Sequence, residues 1–551
     1  MDKQKEIVIE KTPNSATSEI IKRLDKENIE TAFDRYNAQK PQCVHGMEGC
    51  CCKMCQWGPC RITPKSSRGV CGRDINTIVF ANLIRSLSAG LSAHARHAHE
   101  VILSVISFAD GKINGELKGA DRVLHLAEKF SIETENRNFK DITKDVCKIL
   151  LDDLGRMTNE PMKMLDTFAP EERKQRWSEL GILPRSASYE VMEALHMTTL
   201  GGCSDWQTLA MHELRLALAY CYSTLFGSSF ATEILYGIPK PTICEVNYGI
   251  LKKDHVNILL HGHSPVMIEC VLEKIMLPEI QELALSYGAK GIVLGGMCCT
   301  GTELLARYGI GTVTNILGQE LVLGTGAVDA MIVDMQCVIP GVKTLADCFG
   351  TKIITTCNSN RIPGAEHYAF DAEHPEDMDE SALNIAKSAV RAFAERDRSK
   401  INIPRTKTKA MAGWSFEAIS EVFNGVDNLA QLLKDGKIRG IATIVGCNTP
   451  KAVYENNHVT IARALIKEGI LLTTTGCCSH ALLNDSLCDT ASAEYASDGL
   501  KEICTQLDIP PVLAVGGCVD NTRSLRLFMA VAESCKNNLK DMPFMFIGPE
   551  P

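Results

Sequence analysis

Six apolar segments in the second half of the chain each end beside a residue that can bind a soft metal ion. Short apolar runs of this kind predict buried strands. Because the carboxyl ends of parallel strands meet at one edge of a sheet, the residues that follow these runs are expected to converge. The runs and the residues that follow them are 256–260 with His261, 291–297 with Cys298 and Cys299, 330–336 with Cys337, 441–446 with Cys447, 470–476 with Cys477 and Cys478, and 511–517 with Cys518.

The donor set at these six strand ends indicates a polynuclear metal site. Five thiolates and one imidazole are too many ligands for a single zinc ion, which takes four. They suit an iron–sulfur cluster with a second metal. Any one of these cysteines could instead be a small buried core residue. The same arrangement at all six strand ends favours the metal site.

A second group of cysteines lies near the start of the chain, in a segment rich in glycine. Cys52, Cys55, Cys60 and Cys71 follow the pattern C-x2-C-x4-C-x10-C. Four converging thiolates in a tightly folded loop are what a cubane iron–sulfur cluster requires. Zinc ribbons usually carry two paired C-x2-C units, and only one occurs here. We therefore predict a 4Fe-4S cluster at these four cysteines.

Cys43 and Cys51 form a further pair with the spacing C-x7-C, and Cys50 lies beside them. Two ligands cannot hold a cubane alone. A two-fold dimer could supply two more from a second copy, since a symmetric interface presents the same patch twice. The alternative is a pair of free thiols beside the first cluster. The spacing alone leaves both possibilities open.

The elements that must position these residues follow from changes in pattern along the chain. After the cysteine-rich loop, segments such as 78–91 and 208–225 carry apolar residues at helical spacing, and strand-like runs alternate with helical stretches from about residue 240. The predicted fold class is α/β multidomain, a helical amino-terminal domain with an iron–sulfur loop followed by two Rossmann-like parallel α/β domains. The predicted boundaries are 1–75 for the cluster loop region, 76–238 for the helical domain, and 239–400 and 401–551 for the two α/β domains.

Composition narrows the class of protein. The chain has 551 residues, 24 cysteines and a formal net charge of −9. An acidic balance argues against nucleic-acid binding, and no apolar run reaches the roughly 18 residues that a membrane span needs. The charged segment 1–10 lacks the apolar core of a secretory signal, so we expect a cytoplasmic location. So many cysteines in such a chain point to metal or redox chemistry rather than disulfides.

Taken together, these motifs resemble the anaerobic nickel–iron carbon monoxide dehydrogenases. The resemblance extends from about residue 43 to 525. The matching segments are 58–62 (GPCRI), 69–72 (GVCG), 261–265 (HGHSP), 298–301 (CCTG), 333–337 (VDMQC), 446–448 (GCN), 474–477 (TTGC) and 518–521 (CVDN).

The resemblance implies a reversible oxidation of CO and water to CO2, two protons and two electrons. It implies that a nickel–four-iron–four-sulfur cluster is held by His261, Cys299, Cys337, Cys447, Cys477 and Cys518. It implies that electrons leave through a 4Fe-4S cluster on Cys52, Cys55, Cys60 and Cys71. A cluster shared between the subunits of a homodimer would follow, on Cys43 and Cys51 of each chain, and a ferredoxin-like carrier would accept the electrons.

The sequence also departs from this family. The family conducts protons along histidines at i, i+3 spacing; here His94 and His97 share a helical face, but the next positions on that face are Glu100 and Leu103. The alternative for this segment is a solvated helix that carries three histidines. Tyr220 stands where we expect an acidic residue. Relatives also continue for several dozen residues past residue 551, and that stretch carries a lysine that stabilises bound CO2. We therefore expect a truncated reading frame or a divergent member.

The sequence is also compatible with two other functions. Related hybrid-cluster proteins reduce hydroxylamine with an iron–sulfur–oxygen cluster on a similar scaffold, although they use glutamate ligands. Alternatively, the chain could be an electron-transfer or redox-sensing protein that retains the amino-terminal clusters and has an inactive site.

Overall fold

The computed structural model describes residues 11–550, so the prediction made from segment 1–10 lies outside the described residues. The chain divides into two compact units. One comprises Gln39–Gly237, and the other comprises Met1–Ala38 together with Ile238–Pro551. The cysteine-rich loop therefore belongs to the same unit as the helices that follow it.

The smaller unit is helical, as the apolar spacing predicts. Its cysteine loop contains a short antiparallel pair, β1 (Cys51–Cys52) and β2 (Cys60–Arg61). The segment 78–91 is part of one 35-residue helix, Ile75–Ala109, which begins where the Asp74 side chain accepts a hydrogen bond from Thr77 N. The helices are Val44–Met47, Ile75–Ala109, Ala120–Lys129, Phe139–Gly155, Lys163–Phe168, Glu171–Glu179, Ala187–Thr198, Trp206–Ala219, the π-helix Tyr220–Leu225, and Phe226–Tyr236.

The larger unit contains two six-stranded sheets. Its strands are β3 (Thr242–Val246), β4 (Val256–Gly262), β5 (Ile292–Met297), β6 (Thr312–Thr314), β7 (Ala330–Val333), β8 (Lys352–Thr355), β9 (Glu366–His367), β10 (Thr408–Ala412), β11 (Gly440–Ile444), β12 (Ile470–Thr475), β13 (Val512–Gly516) and β14 (Phe544–Ile547).

Helices follow most of these strands, as in βαβ units. The α-helices of the larger unit are Ser15–Lys26, Ala32–Ala38, Val266–Ile275, Pro278–Ser286, Cys298–Tyr308, Gln319–Leu323, Val342–Phe349, Met378–Glu395, Phe416–Val422, Val426–Lys434, Asn456–Lys467, Gly476–Asn484, Asp498–Leu507 and Asn521–Ser534. Short 3₁₀ turns cover Tyr248–Ile250, Arg398–Lys400, Thr490–Tyr495, Cys518–Asp520 and Leu539–Asp541.

The strand order explains how ligands from separate parts of the chain can meet. The first sheet has the order β6-β5-β4-β7-β8-β9 and is parallel throughout. The second has the order β14-β11-β12-β13-β10-β3, and within it only β3 is antiparallel, paired with β10. All six predicted strands are present, three in the centre of each sheet. The predicted fold class, helical and then doubly α/β, is confirmed.

The central strands of both sheets are covered on both faces, which is why they are rich in apolar residues. Every residue of β4 and of β11 is buried. One hydrophobic core forms around each sheet, the first including Leu259 and Met331 and the second Ile441 and Leu513. Among residues 11–550, none of the helices combines the length and the apolar character that a membrane crossing requires.

Candidate metal centre

Cysteines from the two sheets of the larger unit meet at one place. The backbone N–H of Cys518, which follows β13, donates to the Sγ of Cys299, which follows β5, at 3.2 Å. The thiol of Cys298 contacts that of Cys477, which in turn contacts Cys447. The two sheets therefore present their carboxyl-end cysteines to a shared space, as the positions of these residues in the sequence predict.

The histidine that joins this group is His263. A ring nitrogen of His263 and the Sγ atoms of Cys299 and Cys518 all lie within 4.8 Å of one another. The Nε2 atom of His263 is also 3.8 Å from the Sγ of Cys337. Within residues 11–550, no other group of three or more His, Cys, Asp or Glu side chains is packed this closely. His263 is thus placed as a ligand would be, one residue beyond the end of β4.

His261, the histidine expected as ligand, occupies a different place. It lies inside β4, opposite Met297 and Val333, and is completely buried. Its Nε2 is 3.3 Å from Oε1 of Gln319, whose Nε2 donates to the carbonyl of Cys337 at 3.1 Å. His261 therefore contacts the Cys337 loop through Gln319 and through the backbone of Cys337, and it is not a member of the close group formed by His263, Cys299 and Cys518.

Three thiols of this group, those of Cys299, Cys337 and Cys447, have raised pKa values and so favour their protonated forms. A hydrogen bond with Cys518 and then burial raise the pKa of Cys299, and the same hydrogen bond lowers the pKa of Cys518. Burial followed by neighbouring thiols raises the pKa of Cys337, and the hydrogen bond with Cys477 raises that of Cys447. A cation bound among these sulfurs would displace the protons, so metal binding here must release them.

Close packing at the strand ends leaves space only for glycine beside the sulfurs. Gly476 has φ +60°, and a Cβ at this position would lie 2.7 Å from the Sγ of Cys518. A Cβ on Gly517 would be 3.2 Å from the Cβ of Cys299. These glycines let backbone approach a group held by the cysteines. The soft donors and the narrow glycine-lined surroundings fit an iron–sulfur cluster with a second metal.

A buried charge network ties the two cysteine-bearing segments together. The Cys299 helix carries Glu303, whose Oε1 accepts from Gly517 N at 3.4 Å, and the Cys518 turn carries Asp520, whose Oδ2 accepts from the same N–H at 2.9 Å. Arg523 is 3.1 Å from Asp520. Burial opposes ionisation of Glu303, but nearby arginines hold its pKa well below its usual range. Sequence reasoning missed this network, because nothing in the spacing pairs residues 303 and 520.

The amino-terminal loop is wrapped as a cluster site would be. Pairing of β1 with β2 sets Cys52 opposite Cys60. The N–H of Val70 donates to the Sγ of Cys60 at 3.4 Å, which brings the chain near Cys71 back to the loop. Cys55, half-buried, lies in the turn between the two strands. The loop thus brings the segments that carry Cys52, Cys60 and Cys71 together, with Cys55 in the turn between the strands.

Two further cysteines of this loop bear on the shared-cluster prediction. Cys43 is exposed and directly precedes the helix Val44–Met47, and Cys51 is half-buried in β1. Cys50 is buried, with its Sγ 3.4 Å from Nδ1 of His45. Cys50 therefore packs inside the loop, while Cys43 and Cys51 remain accessible to another molecule.

The predicted proton-carrying histidines lie on the long helix of the smaller unit. His97 is buried, and the ring of His94 lies 5.4 Å from that of Tyr220. Burial lowers the pKa of His94 to about 4, so the ring is neutral at pH 7. Tyr220 begins the π-helical turn Tyr220–Leu225, a distortion often found at functional sites. His99 is exposed, as its position on the helix predicts.

Known proteins resemble this chain over nearly its whole length. The Prismane/CO dehydrogenase family model matches residues 50–551. "Carbon monoxide dehydrogenase 1" of Methanosarcina acetivorans is 38% identical over 99% of this chain and 87% of its own length. "Carbon monoxide dehydrogenase 1" of Carboxydothermus hydrogenoformans is 38% identical over 95% of this chain and 85% of its own length.

Solved structures show the same fold. A nickel-free crystal structure of carbon monoxide dehydrogenase from Thermococcus sp. AM4 has a TM-score of 0.96 and 39% identity, over 98% of this chain and 86% of that chain. Carbon monoxide dehydrogenase IV from Carboxydothermus hydrogenoformans has a TM-score of 0.94 and 37% identity, over 98% of this chain and 87% of that chain. With the convergent cysteines and the histidine beside them, these matches establish that the chain belongs to the Prismane/CO dehydrogenase family.

Proposed function

We propose that this chain is an anaerobic carbon monoxide dehydrogenase, which interconverts CO and water with CO2, two protons and two electrons. The observation that carries the proposal is the meeting of His263 with cysteines from both sheets in a chain whose relatives bear that name. A nickel–iron–sulfur cluster bound there would supply the metal sites that bind CO, activate water and accept electrons. Nothing in the comparisons favours hydroxylamine reduction, since the relatives are named for CO.

The proposed ligands are His263, Cys299, Cys337, Cys447, Cys477 and Cys518. His263 replaces His261 in this set, because only the former is beside the thiols. Cys298 is a sixth thiol, in contact with Cys477, and it is not one of the predicted ligands. Burial of the two histidines and of Cys299 keeps bulk water from the site, which limits side reactions.

His94 and His97 are the proposed proton carriers. The burial that lowers the pKa of His94 to about 4 leaves its ring free of charge at neutral pH, so it can accept a proton and pass it on. Support for this role comes from their positions on one face of the helix Ile75–Ala109. Glu100, one turn further, accepts a hydrogen bond from the Arg96 guanidinium at 2.9 Å and can continue the path.

Electrons leave, in this proposal, through a 4Fe-4S cluster on Cys52, Cys55, Cys60 and Cys71. A second copy of the chain completes the shared cluster on Cys43 and Cys51. Apolar side chains exposed beside these cysteines support a dimer, since Val44 is 60% and Met47 65% exposed. A groove of about 760 Å³ beside them is lined by Met47, Cys51 and Leu83 among others.

The electron acceptor in this proposal is a small acidic carrier of the ferredoxin type. The cluster loop is basic although the whole chain is acidic, and its exposed side chains would attract such a carrier. Within 39–72 the exposed charged residues are Lys40, Lys53, Arg61, Lys65 and Arg68 against Glu48. We also propose a cytoplasmic location, which agrees with the free state of all 24 cysteines.

The decisive experiment is CO-dependent reduction of a viologen dye under strictly anaerobic conditions, on protein expressed with added nickel and iron. Cys518→Ala is the matched inactive variant, and Cys504→Ala, a buried cysteine of the second core, is the control. We expect turnover in the wild type and in Cys504→Ala, and none in Cys518→Ala. Absence of turnover in nickel-loaded wild type would refute the proposal.

A further inference from the structure

One buried carboxylate lies between the segments that carry the proposed ligands. Asp334 follows β7 and is 2% exposed. Its Oδ1 accepts hydrogen bonds from the backbone N–H groups of His263, of Met335 and, at 3.1 Å, of Ser264. Its Oδ2 accepts from the Thr300 hydroxyl at 2.6 Å. Both carboxylate oxygens are therefore engaged, with three donors on one and one on the other.

Each of these donors belongs to a segment that carries a proposed ligand. One is the backbone N–H of the histidine ligand itself. Thr300 comes directly after Cys299, in the first turn of the helix Cys298–Tyr308. Met335 begins the loop that reaches Cys337, which has a positive φ of 53°. The carboxylate thus joins three ligand segments that are distant in sequence.

The backbone is shaped to let this carboxylate approach. Gly262 has φ +133°, and a Cβ there would lie 1.8 Å from Oδ1 of Asp334. The N–H of Asp334 in turn donates to the carbonyl of His261 at 3.0 Å. The turn from β4 into His263 is consequently held against Asp334 from two sides, and only glycine at position 262 permits it.

We propose that Asp334 is a positioning residue of the metal centre, which fixes His263, Cys299 and Cys337 relative to one another. The inference rests on the proposed function in taking these residues as ligands. It adds a supporting group that binds no metal itself. Groups that orient metal ligands commonly change metal affinity by about 10–100-fold when they are removed.

A second buried aspartate, at the other end of β7, provides a matched control. Asp329 directly precedes β7 at its opposite end and is fully buried. It accepts from the backbone N–H of Asn257 at 2.7 Å and pairs with Arg396 at 3.1 Å. Replacing Asp329 also breaks buried polar contacts of this strand, but its partners belong to the end of the sheet away from the cysteines.

The test uses metal-free full-length protein under anaerobic conditions, titrated with cobalt(II) as the probe. The signal is the thiolate-to-cobalt charge-transfer absorption, and the part that Cys518→Ala abolishes reports on this centre alone. We expect Asp334→Ala to raise the cobalt dissociation constant of that part by about 10–100-fold. Asp329→Ala should leave this constant within about twofold while lowering the melting temperature.

Thr300→Val covers the case in which Asp334→Ala fails to fold, since it removes one donor and leaves the carboxylate. We expect it to weaken cobalt binding by about tenfold. Unchanged binding in folded Asp334→Ala overturns the inference. So does unchanged binding in Thr300→Val if the alanine variant is unfolded. Cobalt binding is measured without CO. If Asp334→Ala weakens cobalt binding but the wild type does not oxidise CO, only the proposed function is refuted.

Discussion

The histidines on either side of Gly262 should respond differently when each is replaced by alanine. His263 lies among the cysteines, whereas His261 lies within β4 and contacts Gln319. If His263 is the metal ligand, His263→Ala should lose nickel and His261→Ala should retain it. The structure makes this a sharp comparison, because the two residues have the same side chain, are both buried, and lie two positions apart.

The loss of stability in the two variants can be estimated from burial and hydrogen bonding. Removing a buried ring of this size leaves a cavity that costs about 3 kcal/mol. Oε1 of Gln319 accepts from the N–H of Ile339 and from His261 Nε2, and losing the bond to His261 costs about 1 kcal/mol more. His263 is 3% exposed, and its ring leaves a comparable cavity. Both variants should therefore lose about 3–4 kcal/mol.

Since both variants should lose about the same stability relative to wild type, their nickel content distinguishes them. The assay is elemental analysis of nickel and iron per chain after anaerobic expression with both metals, with urea unfolding in parallel. His261→Ala should keep most of its nickel at a lower unfolding midpoint. His263→Ala should lose most of its nickel at a similar midpoint. Nickel lost from His261→Ala but kept by His263→Ala would refute the reasoning and restore His261 as the ligand.

Three further predictions follow from other parts of the structure. Burial raises the pKa of Glu455 from 4.5 to about 8, so the contribution of Glu455 to stability is complete below pH 4.5 and lost as pH rises through 8. Glu455→Gln should therefore become more stable relative to wild type over that range, by at most about 5 kcal/mol. Urea unfolding at successive pH values measures this difference. Cys60→Ala should lose about four iron atoms per chain and keep its nickel, whereas Cys147→Ala, a buried core cysteine, should keep both; equal iron in the two variants would contradict the amino-terminal cluster. Arg122 and Glu233 form a buried ion pair at 2.7 Å, so Arg122→Met should cost about 3–5 kcal/mol of stability and the Arg122→Met, Glu233→Leu double variant much less; a double variant as unstable as Arg122→Met would contradict a cost for the unpaired Glu233 carboxylate.

The sequence predicted which strands carry the proposed ligands, but it did not distinguish which of two histidines lies beside the cysteines. The six apolar runs are predicted as strands because each is short and apolar, and these signals are local. His261 and His263 both follow the run 256–260, and choosing between them requires the length of β4. That length is set by pairing with β5 and β7, which is a tertiary property. The observation that β4 continues through Gly262 shifts the expected ligand by two residues.

Other features of the structure depend on contacts that no spacing reveals. β3 begins the segment predicted as the first α/β domain, yet it pairs antiparallel with β10 in the second sheet. No spacing in the sequence marks Asp334, because Thr300 and the turn at Gly262 contact its carboxylate only in the folded chain. Buried polar groups are generally of this kind, because their partners are chosen by three-dimensional packing rather than by local preference.

Neither sheet alone can hold the proposed cluster. His263, Cys299 and Cys337 come from the first sheet, and Cys447, Cys477 and Cys518 come from the second. The site therefore exists only when both sheets are folded and packed together, so the free energy of metal binding also stabilises that packing. The Glu303 and Asp520 carboxylates, which share the N–H of Gly517, hold the two ligand segments together before metal arrives. A preformed pocket of this kind places the cysteines in advance, and the cost of ordering them is met during folding rather than during cluster insertion.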